Sequence, residues 1–123
     1  MATRNPHLSE DASFDASAAG AQNLTTAWAR AWTAAPDAKQ IRDPDDGWLS
    51  RGELEAETAL RAGRLAALGL SAGDRVLLSA ESSGDLVASY VACLRMGLVV
   101  IPTNTAYGER ELAHVIHDAG PKA

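Results

Sequence analysis

Residues 75–90 read RVLLSAESSGDLVASY: an apolar run of strand character, a Ser/Gly turn, then apolar residues at helical spacing. A strand that feeds a helix through a glycine-containing turn is where nucleotide-binding folds set backbone N–H groups against a phosphate. Residues 82–85 therefore pose a choice between a phosphate cradle and a plain joint. The turn has one glycine, Gly84, with no lysine nearby and no second glycine at dinucleotide spacing, so neither G-x-G-x-x-G nor G-x-x-x-x-G-K-[ST] is present. Any bound phosphate would rest on free N–H groups and the helix dipole alone, opposed by Glu81 and Asp85. The reading favoured is a joint: Ser82 or Ser83 caps a helix, with Asp85 in its first turn against the positive end of the dipole.

Outward from this joint the pattern continues on both sides. Arg75 to Ala80 is a near-continuous apolar run, which predicts a central strand covered on both faces. In the helix that follows, Leu86, Tyr90, Cys93 and Leu94 are expected to face inward, and Gly97 closes it. The strand LVVI (98–101) comes at once and Pro102 ends it. Two strands joined by a helix with so few spare residues pair in parallel through a right-handed crossover, a β-α-β unit. A further helix runs from Gly108 or Glu109 to Ala119, with Leu112, Val115, Ile116 and Ala119 on one stripe and Gly120-Pro121 as its terminator.

Upstream, residues 1–22 are rich in Ala, Ser and Asp with little to bury beyond Leu8 and Phe14, and read as a disordered or loosely docked arm. Leu24, Trp28 and Ala31 or Trp32 recur at helical spacing in a helix that Asn23 or Thr25 caps and Pro36 ends. AKQI and WLS, separated by RDPDDG, predict a small hairpin. Ser50 and Glu53 form a capping box for a helix with Leu54, Thr58, Ala62 and Leu65 along one face, and Gly69 stops it. LSAGD (70–74) is the linking turn.

The fold class is α/β, with a parallel β-α-β unit and an incomplete sheet over residues 23–123. Strand, helix, strand, helix calls for a further strand, and a small sheet with open edges is marginal in water. The expectation is part of a larger domain, or a chain completed by a partner.

Composition narrows the partners. Eleven Lys and Arg against sixteen Asp and Glu give a net charge of −5 with no local basic stripe, so no DNA-binding patch and no nucleic-acid partner are expected. One cysteine, an acidic N-terminus unlike a secretory signal, and no apolar run near the roughly 20 residues of a membrane span predict a cytoplasmic chain without membrane contact.

The remaining candidates for chemistry have plain readings beside them. Cys93 reads as a core thiol rather than a nucleophile. His114 and His117 stand three apart on the last helix, but the only further ligand near them, Asp118, projects about 100 degrees away from His117, so exposed histidines are favoured over a metal pair. Ser82 and Ser83 lie in no G-x-S-x-G elbow and read as caps. Asp43, Asp45 and Asp46 crowd one turn but lack the remaining ligands of a calcium loop. No catalytic residue and no metal ligand is assigned.

In order, these pieces resemble the beginning of the adenylate-forming superfamily of acyl-CoA synthetases and AMP-dependent ligases. The residues that carry the resemblance are S-R-G-E-L at 50–54, L-x-x-L-G-L-S-A-G-D-R-V at 65–76, Y-V-A-C-L-R-M-G-L-V-V-I-P-T-N-T-A-Y at 90–107, and E-L at 111–112. The helix–Gly–strand–Pro run of 90–107, ending in Asn104-Thr105-Ala106-Tyr107, looks most like malonyl-CoA synthetases. Gly108 stands where family members tend to have Thr, and Met96 and Thr103 also depart from the pattern. The resemblance implies a two-step ligase in which a carboxylate attacks the α-phosphate of ATP and CoA thiol then displaces AMP, with Mg²⁺ neutralising phosphate charge. It also implies that the phosphate loop, the acyl pocket and the catalytic lysine are later segments. The expected partner is the remainder of the synthetase, and these 123 residues alone are expected to be inactive. Two other readings stand beside it: a non-catalytic interaction subunit whose sheet is completed by a complementary chain, and a free-standing nucleotide-binding module.

Overall fold

A computed structural model describes residues 23–123; the arm expected over residues 1–22 lies outside the described residues. Helix α1 (Leu24–Ala34) starts where Asn23 Oδ1 accepts the Thr26 N–H at 2.8 Å, so Asn23 rather than Thr25 is the cap. Trp28 and Trp32, one turn apart, stack with ring centroids 6.2 Å apart. Strands β1 (Lys39–Asp43) and β2 (Gly47–Ser50) form the antiparallel hairpin, Ile41 opposite Leu49.

Helix α2 (Arg51–Ala67) opens on the capping box: Ser50 Oγ accepts the Glu53 N–H and the Glu53 carboxylate accepts the Ser50 N–H. Its inward face carries Leu54 and Thr58, both essentially fully buried. Gly69 follows at φ +85°, a left-handed conformation that glycine adopts without the Cβ penalty.

Strands β3 (Arg75–Leu78) and β4 (Val99–Pro102) pair in parallel, Val76 opposite Val100 and Leu78 opposite Pro102, with helix α3 (Gly84–Arg95) between them in sequence. The β-α-β unit therefore forms. Several details differ from the expectation, among them the ends of the hairpin strands, expected at 38–41 and 48–50. Strand β3 stops at Leu78, leaving Ser79 and Ala80 outside it, and β4 is shifted one residue, Val99–Pro102 instead of 98–101. Of β3 only Val76 is buried, because the described residues cover the strand incompletely. The inward face of α3 is Ala88, Val91, Ala92 and Cys93, while Leu86, Tyr90 and Leu94 are half-buried. The small side chains of Ala88 and Ala92 face inward because α3 packs closely against α2, and a close helix pair favours small residues at the contact.

Helix α4 (Glu109–Ala119) begins at Gly108, which offers no side-chain cap, and ends at Gly120 in the left-handed region. Its stripe of Leu112, Val115 and Ala119 is half-buried and Ile116 is exposed, so α4 buries no residue fully among the described residues. Two small cores result. Trp32, Leu54 and Val91 join α1, α2 and α3 above the hairpin; Leu70, Val76, Cys93 and Leu98 join the β-α-β unit.

Candidate functional site

The β3–α3 joint is built as a closed helix start. Ser83 is the cap, its Oγ accepting the Leu86 N–H at 3.1 Å, and Ser82 is not. The first helical N–H, that of Gly84, donates to Oδ2 of Asp43 at 2.5 Å. Asp43 lies at the end of β1 and is 6% exposed; its other oxygen accepts the N–H groups of Asp45 and Asp46 at 2.8 and 3.1 Å. One carboxylate thus closes the hairpin turn and holds an N–H at the positive end of α3, the position an anion takes at an open helix N-terminus. These donors, Gly84 first, hold the Asp43 carboxyl below its ordinary 3.8.

Gly84 sits under hairpin side chains. A Cβ there would lie 2.5 Å from Leu49 Cδ1 and 3.2 Å from Asp43 Oδ2, so the hairpin presses directly on the helix start. The joint is a poor place for a triphosphate. Asp43 occupies the Gly84 donor from within the fold, and Glu81 and Asp85 add like charge.

Beside the joint is a cavity of about 220 Å³ lined by Asp43, Asp46, Glu53, Glu57, Arg61 and Asp85, among others. Arg61 spans it from α2 to α3, bonding Asp85 Oδ1 at 2.5 Å, Ser89 Oγ at 2.8 Å and Glu57 at 3.3 Å. A second cross-link lies deeper: Arg95 grips Glu55 through two hydrogen bonds of 2.9 Å and donates to the buried Thr58 hydroxyl at 2.9 Å.

Cys93 is buried, and desolvation pushes its thiol up, which disfavours the thiolate a nucleophile needs. His114 Nε2 and His117 Nδ1 both approach Asp118, at 3.4 and 3.1 Å, so the last turn of α4 does gather the three side chains that the helical angle had separated. The side chains reach further than their Cα directions suggest. All three are exposed, and among the described residues no group of three or more His, Cys, Asp or Glu is placed to hold a metal ion.

Reasoning along the chain missed the partnership of Asp43 with Gly84, 41 positions apart, and those of Arg61 on α2 with α3 and of Arg95 on α3 with α2. Only a crowded Asp-rich turn and a glycine at a helix start hinted at the first of these.

A parallel β-α-β unit preceded by a helix, a hairpin and a capped helix defines an α/β architecture whose strand–glycine–helix joint is closed by its own carboxylate. Residues 28–123 match the AMP-binding enzyme family, and the chain belongs to it, within the adenylate-forming superfamily. It is 39% identical over 67 residues to the 3-hydroxybenzoate–CoA/4-hydroxybenzoate–CoA ligase of Thauera aromatica, covering 54% of this chain and 13% of that one. Against the medium-chain fatty-acid–CoA ligase of Escherichia coli it is 25% identical over 103 residues, 84% of this chain and 18% of the other. Among solved structures it superposes on CmiS6 with a TM-score of 0.71 at 37% identity, covering 80% of this chain and 25% of that one. With the N-terminal subdomain of Klebsiella oxytoca NpsA the TM-score is 0.73 at 25% identity, with 80% and 25% covered. The chain thus spans about an eighth to a sixth of the length of the ligases it matches.

Proposed function

We propose that the chain serves as the N-terminal portion of an adenylate-forming ligase, in which a carboxylic acid is activated with ATP to an acyl-adenylate and passed to the thiol of CoA. The family match over residues 28–123 carries this reading. That two of the relatives are named as CoA ligases supports the thiol acceptor. Within the reading, residues 23–123 are an incomplete part of the adenylating domain and supply its framework. ATP and Mg²⁺ are held by other segments, as is CoA, because the β3–α3 joint is filled from within. The acid is a small carboxylate: Asn104-Thr105-Ala106-Tyr107 favours malonate, and the likeness to hydroxybenzoate ligases favours an aryl acid. A cytoplasmic setting follows from cellular ATP and CoA; no described helix is long and apolar enough to cross a membrane.

A chimera tests the reading. Residues 23–123 replace the segment of CmiS6 on which they superpose, and acid-dependent pyrophosphate exchange is measured. The reading predicts exchange within about tenfold of the parent, an allowance of about 1.4 kcal/mol in the barrier for imperfect packing at the new boundary. A folded chimera with no exchange contradicts it.

A further inference from the structure

We draw no further inference here: the strongest candidate, the apolar groove beside β3 walled by Leu65, Leu68, Val76 and Leu78, carries nothing because nothing in the structure shows what covers it.

Discussion

Asp43 and Gly84 carry the main residue-scale argument, because each excludes a different alternative at the β3–α3 joint. The Asp43 carboxylate removes the free donor a phosphate would need, and the missing Cβ of Gly84 lets Leu49 close over it. Gly84→Ala turns the tip of Leu49 aside and presses on Asp43 Oδ2, and is expected to cost about 1 kcal/mol, read as a lower melting temperature. An unchanged melting temperature would show that the contact is slack. Asp43, Glu53 and Asp74 all have carboxyls held below their ordinary values, mainly by the Gly84 N–H, the Ser50 N–H and Lys122 respectively. A lowered native value stabilises the fold fully above the unfolded carboxylate range, and that contribution is lost as pH falls through the native value. Thermal melts between pH 7 and about pH 2 should therefore show stability falling on the acid side, less steeply in Asp43→Asn. A parallel acid limb in that variant would remove Asp43 from the account. The capping serine and the capping box were legible because they are local, three residues apart. The Asp43 contact was not, since nothing in sequence ties a turn aspartate to a helix 41 residues later.

At the scale of elements, α2 and α3 form the frame on which both cores rest, and polar groups lock their register. The Thr58 hydroxyl is fully buried, donates to the Glu55 carbonyl and accepts from Arg95. Thr58→Val keeps the shape but leaves Arg95 with Glu55 alone. It is expected to cost about 1.5–3 kcal/mol in chemical denaturation, the range for a hydrogen bond to a charged group. Thr58→Ser should recover most of that loss; equal losses in both variants would trace the effect to packing. Leu54→Ala, at the centre of the Trp32–Leu54–Val91 cluster, is expected to cost about 2–5 kcal/mol. Every element from residue 23 onward was legible from periodicity and turn chemistry, with ends displaced by one or two residues at all four strands. The inward face of α3 was read correctly at Cys93 but not at Leu86, Tyr90 and Leu94, because apolar size was taken as the guide, whereas the close approach of α2 selects the small side chains of Ala88 and Ala92.

For the whole molecule, the partial burial of β3 and the half-buried stripe of α4 follow from one cause. The described residues supply two parallel strands, and a doubly covered sheet needs neighbours on its outer edge and faces. The order of elements conveyed this α/β class, and the motif order conveyed the family. The return of Lys122 to Arg75 and Gly69 was not legible, because nothing local ties residue 122 to residues 69–75. The central claim is that these residues shape a ligase framework and leave the nucleotide to other segments. Its most direct test is to incubate the purified chain with ATP, Mg²⁺, CoA and malonate or 3-hydroxybenzoate and measure AMP. The account predicts no AMP above the protein-free control. AMP release that depends on the acid would contradict it.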